Sequence, residues 1–355
     1  MPASSAQTGF AQRLIAWQGQ QGRHDLPWQG SRDAYRVWLS EIMLQQTQVT
    51  TVIPYYQRFL DRFPDLAALA AAPVEAVMAL WSGLGYYARA RNLHACARLV
   101  MAEHDGAFPS DPETIARLPG IGRSTANAIA VFCFGARRPI LDGNVKRLLC
   151  RHGGIEGFPG TAAVAKRLWD LAGSLLPAGD IDTYIQAQMD LGATLCTRHR
   201  PRCAACPVAE DCVAYRDGRT AALPAGRQRR DRPEREVTVL LLVHEGRTLL
   251  EARPPTGIWG GLLSLPELPA AVGPAEHAVK LGCRLLSERS LPPVIHGFTH
   301  FVLRLHPLLC RVAPLARVAE PAGRWLTADD LATAGLPAPI RRLLLSQLAP
   351  GQGIT

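Results

Sequence analysis

The stretch from Leu118-Pro119-Gly120-Ile121-Gly122 to Ile140-Leu141-Asp142-Gly143-Asn144 constrains the fold of this chain more than any other. Ser110, Asp111, Pro112 and Glu113 supply the cap, first-turn proline and acid that open a helix. Pro119-Gly120 ends it, and Gly122 is expected to turn the chain where a Cβ would clash. A second helix is expected from Arg123 to Phe134, with Gly135 just past its end. Such a hairpin aims the amides of Gly120, Ile121 and Gly122 at one point before a helix N-terminus, where an anion such as a phosphate is stabilised. Asp142 follows an apolar run and precedes a helix expected over 145–151. Taken singly, these features are a helix–helix turn and an N-cap, and their meaning depends on the rest of the chain.

A chain of 355 residues suggests two domains. Residues 8–215 read as helical with short loops, including helices over 161–176 and 183–196. A basic, proline-bearing linker is expected over 221–235. The fold class expected is a mostly α region over 1–220 and an α+β domain over 236–350. In the second domain, strands are expected at 237–243, 248–252, 294–296, 300–305 and 308–313, with helices at 275–287 and 339–348. The formal charge of 39 − 30 = +9 favours an anionic partner without identifying it. No apolar run reaches the roughly 18–20 residues of a membrane span. Met1 to Phe10 lacks a signal-peptide pattern, so a cytoplasmic, reducing location is expected for the nine cysteines.

Four of those cysteines, Cys196, Cys203, Cys206 and Cys212, follow C-x6-C-x2-C-x5-C. Clustered thiolates of this kind close a zinc site or a 4Fe-4S cluster. Zinc usually takes two short C-x2-C knuckles and only one is present, so the spacing favours the cluster. Arg198, His199, Arg200 and Arg202 make the same loop basic.

Together, the hairpin, Asp142 and the cysteine loop resemble the helix-hairpin-helix DNA glycosylases of the endonuclease III superfamily. The segments Trp38-Leu39-Ser40-Glu41-Ile42-Met43-Leu44-Gln45-Gln46-Thr47-Gln48-Val49 and Gly83-Leu84-Gly85-Tyr86-Tyr87-Ala88-Arg89-Ala90-Arg91-Asn92-Leu93 narrow the resemblance to the adenine DNA glycosylases, the MutY family. It covers nearly the whole chain. It implies excision of adenine mispaired with 8-oxoguanine or guanine in double-stranded DNA, by a nucleoid-associated monomer that repair proteins could join.

By resemblance, Glu41 protonates adenine at N7, Asp142 stabilises the sugar cation, and Asn144 orients the sugar or water. The physics of the sequence agrees with two carboxyls of opposite character. Glu41 lies on a largely apolar helix that should raise its pKa, whereas Asp142 before a helix N-terminus should stay anionic. The resemblance also implies that Gln46 wedges into the duplex, Thr47 contacts it, and Tyr86 intercalates with Leu84 nearby. The base pocket would use Leu26, Trp28 and Gln186. Some relatives carry Arg and Glu where this chain has His24 and Gln186.

Bifunctional relatives carry a lysine in the hairpin motif where this chain has Ser124. A hydroxyl forms no imine, so base removal without efficient strand cleavage is expected. In the second domain, Gly257-Ile258-Trp259-Gly260-Gly261-Leu262 and Leu265-Pro266-Glu267 resemble the Nudix-like module of these enzymes. The acidic G-x5-E-x7-R-E-x-x-E-E array of diphosphatases has no counterpart in the sequence. Phe298-Thr299-His300 resembles a lesion-contacting Phe-Ser-His, with Thr for Ser. Three other readings compete: a pyrimidine-specific lyase, a non-catalytic iron-sulfur DNA-binding or electron-transfer protein, and a nucleotide diphosphatase.

Overall fold

The computed structural model describes residues 5–227, 231–315 and 323–348. Twelve helices come first: α1 (Ser5–Gln21), α2 (Ala34–Leu44), α3 (Val49–Arg62), α4 (Leu66–Ala71), α5 (Val74–Trp81), α6 (Ala88–Glu103), α7 (Pro112–Ile115), α8 (Arg123–Phe134), α9 (Gly143–His152), α10 (Ala162–Ser174), α11 (Ile181–Thr194) and α12 (Val213–Arg216). The second part holds β1 (Glu234–His244), β2 (Arg247–Ala252), β3 (Leu263–Ser264), β4 (Glu267–Leu268), α13 (Pro274–Lys280), β5 (Cys283–Ser290), β6 (Val294–Gly297), β7 (Val302–Pro314), β8 (Arg324–Leu326), α14 (Asp330–Thr333) and α15 (Ala338–Leu348). No strand interrupts the described helical region, as its periodicity implied. No described helix is long and apolar enough to cross a membrane.

The chain divides into two compact units: residues 1–70 with 95–229, and residues 71–94 with 230–355. In the first, α9 and α11 form the centre, with Val145, Leu148, Leu149, Ile185 and Leu191 buried against Phe10 and Leu14 of α1. Gly192 is required at the α9–α11 crossing, because a Cβ there would stand 2.5 Å from the Asn144 Cβ. The second unit is built on a sheet ordered β3-β2-β1-β7-β5. Its spine is the long parallel pair β1–β7, registered from Glu234↔Val302 to Val243↔Arg311. Leu240, Leu242 and Leu249 bury against Cys310 and Val312. Within this unit Arg91 Nη1 donates to Gly260 O at 2.6 Å, and Ser82 Oγ donates to Leu336 O at 2.8 Å.

Three local expectations need correction. The helix expected over 275–287 stops at Lys280, and its second half is strand β5, whose ladder with β7 overrides the local helical pattern. The runs 300–305 and 308–313 join into the single strand β7, because Pro307 is accommodated opposite Val239 in the parallel pairing. In the hairpin it is Gly120, at φ +77°, that needs a glycine, whereas Gly122 is an extended N-cap with open space around its Cβ position.

Candidate active site

Helix α2 begins where Asp33 accepts the Tyr35 amide, and it buries Trp38, Leu39, Ile42 and Met43. The residues left on its other side include Glu41, which faces a cavity of about 400 Å3. Leu26, Trp28, Leu44, Phe132 and Gln186 share that lining. The cavity therefore gathers the proposed acid with all three residues expected to form the base pocket, drawn from widely separated parts of the chain. Its size suits a planar heterocycle. Trp28 is fixed edge-on against Tyr56, ring centroids 5.4 Å apart.

Burial pushes the Glu41 carboxyl up to about 8, and the nearby Asp142 carboxylate adds to the shift. Asp142 caps α9: its Oδ1 accepts the Val145 amide at 2.7 Å and its Oδ2 accepts from Asn144 Nδ2 at 3.4 Å. These bonds and the Arg147 guanidinium favour its anion, but desolvation outweighs them and Asp142 also lies above the usual carboxylate range. The expectation that the two carboxyls shift in opposite directions is thus corrected, because burial raises both. The asymmetry lies in their partners. Everything acting on Glu41 favours its neutral form, while Asp142 has several groups that hold its charge.

Two further residues organise the cavity wall, and sequence reasoning missed them. Asp190, fully buried on α11, accepts from Arg23 N at 2.9 Å, from Arg23 Nε at 2.8 Å and from Gln186 Nε2 at 2.8 Å. Gln29 then clips the loop, donating to Arg23 O at 3.0 Å and accepting from Leu26 N at 3.1 Å. The available signal was a carboxylate in the apolar run of α11, one turn after Gln186. His24 is exposed and donates to Gln18 O at 3.0 Å.

In the hairpin, α7 is capped by Asp111, which accepts the Thr114 amide at 2.8 Å, and α8 ends at left-handed Gly135. Of the three amides expected to be open, Ile121 N donates to Leu118 O at 3.2 Å and is corrected to a structural role. Gly120 and Gly122 are exposed. Ser124 Oγ accepts the Leu141 amide at 2.9 Å, tying the hairpin helix to the residue before Asp142.

Gln46 and Thr47 fall in the turn between α2 and α3, and Gln48 occupies the N-cap position of α3 without a side-chain cap bond. Gln46 is exposed with φ +58°, an uncommon conformation for a residue with a side chain. Tyr86 adopts the same region at φ +50° and is 51% exposed, so core packing does not account for it. Leu84, by contrast, is buried. Arg89 lies 5.2 Å from the Trp81 ring and 5.6 Å from the Tyr86 ring, and donates to Leu84 O and Gly85 O. The loop is pre-shaped with one aromatic side chain held outward.

All four cysteines line one small apolar cavity with Leu148, Leu195 and Val208. Among the described residues no three His, Cys, Asp or Glu side chains converge closely enough for a single metal ion. Four thiols around one shared cavity form a sulfur-only donor set. Burial pushes the bare Cys206 thiol up to about 11. Arg151 Nη1 donates to Cys196 Sγ at 3.4 Å, and Arg147 bonds Cys196 O, Gly192 O and Asn144 Oδ1 at 2.7, 2.6 and 2.7 Å. One turn of α9 thereby connects the cysteine loop to Asn144.

In the second unit, Phe298-Thr299-His300 forms the connection between β6 and β7, closed by Phe298 N donating to Phe301 O at 2.8 Å. Phe298 stacks on Phe301 at 4.5 Å and meets Trp259 at 5.8 Å, while Thr299 and His300 are exposed. The trio is an anchored hairpin tip.

Comparison with known proteins agrees with both halves. Residues 39–173 match the HhH-GPD superfamily of base excision DNA repair proteins, and residues 237–346 match the NUDIX domain. The adenine DNA glycosylase of Buchnera aphidicola (Acyrthosiphon pisum) is 33% identical over 341 residues, covering 94% of this chain and 96% of the relative. That of Mus musculus is 36% identical over 401 residues, covering 95% of this chain and 77% of the relative. Among solved structures, a thermostable thymine-DNA glycosylase superposes with a TM-score of 0.55 at 27% identity, covering 60% of this chain and 97% of its own. With a helical repair-glycosylase region, a Nudix-like domain and relatives that match nearly all of this chain, it belongs to the adenine DNA glycosylase family of base-excision-repair enzymes.

Proposed function

We propose that this enzyme excises adenine mispaired with 8-oxoguanine or guanine, with Glu41 as general acid and Asp142 as stabiliser of the oxocarbenium-like sugar. The observation that carries the reading is a carboxyl that burial pushes up to about 8, facing a base-sized cavity and near a second carboxyl that accepts the Val145 amide. Cleaving the N-glycosidic bond requires both a proton on the leaving base and negative charge at the sugar. Glu41 donates the proton to adenine N7. Asp142, steadied by the Val145 amide and Asn144, faces the cation that forms. The base reaches this cavity only after leaving the stack, and the exposed Gln46, held at positive φ beside α2, is suited to hold the gap. Thr47 beside Gln46 completes that contact in this reading, the exposed Tyr86 is a duplex contact of its own unit, and Leu84, expected beside it, is buried and anchors the Tyr86 loop instead. Gly120, Gly122 and the N-terminus of α8 receive a backbone phosphate, and Thr299 and His300 face the opposing lesion.

Ser124 is engaged by the Leu141 amide and offers no amine, so the reaction ends at an intact abasic site. Single-turnover reactions on a duplex containing adenine opposite 8-oxoguanine test this. Strand breaks are expected only after alkali treatment of the product. Equal cleavage without alkali would make the enzyme a lyase, and no abasic product at all would remove the excision reading.

The donor set suits a 4Fe-4S cluster on Cys196, Cys203, Cys206 and Cys212. Bound there, it supplies a rigid cross-link for the basic loop that follows α11. Iron and sulfide analysis of purified protein is expected to give about four of each per chain. Stoichiometric zinc with neither would overturn the assignment.

A further inference from the structure

We propose that Arg91 is a positioning residue that joins the Tyr86 loop to the Thr299-His300 hairpin tip, so that the two engage the duplex as one body. The inference rests on the reading of Tyr86, Thr299 and His300 as duplex contacts. Tyr86 lies within the stretch matched by the repair-glycosylase family. Residues 71–94 nevertheless fold with residues 230–355 as a single compact unit. The helical half of the sequence thus lends its exposed aromatic loop to the Nudix-like domain.

The join passes through Arg91, in the first turn of α6 just after Tyr86 and Tyr87. Its amide donates to Tyr87 O at 3.2 Å, and its Nη1 donates to Gly260 O at 2.6 Å. Gly260 follows Trp259, which is buried and held at φ +54°. That conformation is uncommon for a residue with a side chain and persists only where the surroundings hold it. Leu262 N donates to Trp259 O at 3.0 Å and Gly261 N donates to Pro254 O at 3.1 Å, which closes the turn. A Cβ at Gly261 would stand 3.8 Å from Arg91 Cδ, so the arginine stem packs on the turn as well as bonding to it. On its other side, the Trp259 ring meets Phe298 and His296, each at 5.8 Å. Phe298 leads directly into Thr299 and His300. One guanidinium bond and one aromatic contact therefore connect the Tyr86 segment to the hairpin tip. Ser82 Oγ donates to Leu336 O and fastens the same segment elsewhere, so loss of the Arg91 bond leaves the unit assembled. Two contacts fixed in one body are ordered together, and each then strengthens the other. Without the join they act independently.

The test is a double-mutant cycle read on the preference for adenine opposite 8-oxoguanine over adenine opposite guanine, from single-turnover rates at subsaturating enzyme. Tyr86→Leu and His300→Ala are each expected to lower the preference. In the wild-type background their combined loss should fall short of the product of the single losses by roughly 5-fold or more. In Arg91→Met, which keeps the stem against Gly261 and removes the donor, the two losses should multiply. A merely structural role would slow both substrates and leave the cycle as it is in the wild type. Losses that already multiply in the wild type, or a cycle unchanged in Arg91→Met, overturn the inference. If Arg91→Met does not fold, Trp259→Leu cuts the same path at the ring and carries the test under the same criteria. Failure of the underlying reading is told apart: Tyr86→Leu and His300→Ala would then each leave the preference at its wild-type value, which overturns both together.

Discussion

Glu41→Gln is expected to slow adenine excision by roughly 100- to 10,000-fold while leaving duplex binding intact. The amide is nearly isosteric with the protonated acid, so the shape of α2 and of the cavity survives. What disappears is the proton that burial keeps on Glu41 up to about pH 8. The same substitution should stabilise the fold. For Glu41 the folded pKa lies above the unfolded value, so its favourable contribution is complete below about pH 4.5 and is lost as pH rises towards 8. Glu41→Gln should therefore melt higher than wild type at pH 8, by about 1–3 kcal/mol after allowance for partial solvent access, with the gap closing near pH 4. Thermal melts at the two pH values check the stability, and single-turnover rates check the chemistry. A variant that retained turnover would remove Glu41 from the acid role.

Asp142→Asn should cost roughly 100-fold or more in excision with little change in melting temperature. An asparagine oxygen can still accept the Val145 amide and cap α9, so the helix start is kept. The charge facing the sugar is what goes. Loss of that charge also removes one of the two causes that raise Glu41, so the Glu41 carboxyl should titrate below its value in the wild type. Carboxyl infrared difference spectra across the pH range read that shift. A near-normal rate in Asp142→Asn would show that the cation is stabilised by something else.

How far the sequence reached depends on whether a residue's role is local. Asp142 was legible because an aspartate before a short helix is a cap in any fold, and Gly135 because it follows a long helical run. The cysteine loop was legible for the same reason, its donors lying within one short segment. Asp190 was not. Its partner Arg23 lies 167 residues away, and no local pattern announces a pairing at that separation. The ionisation of Asp142 was misjudged because a cap hydrogen bond can be read from sequence while depth of burial cannot, and burial decided the direction. Strand β5 was mistaken for helix because the pairing with β7 that holds it is non-local. Gly120 and Gly122 were interchanged because both glycines look equally permissive until backbone angles distinguish them.

The central claim is a proton held on Glu41 at neutrality, and the pH dependence of adenine excision at subsaturating enzyme reports it most directly, since that rate follows the ionisation of the free protein. The rate is expected to fall about tenfold per unit above about pH 8 as Glu41 ionises, and to fall on the other side as pH drops through the raised pKa of Asp142. A rate that stays level or climbs between pH 8 and about pH 9.5 would contradict an acid at this position.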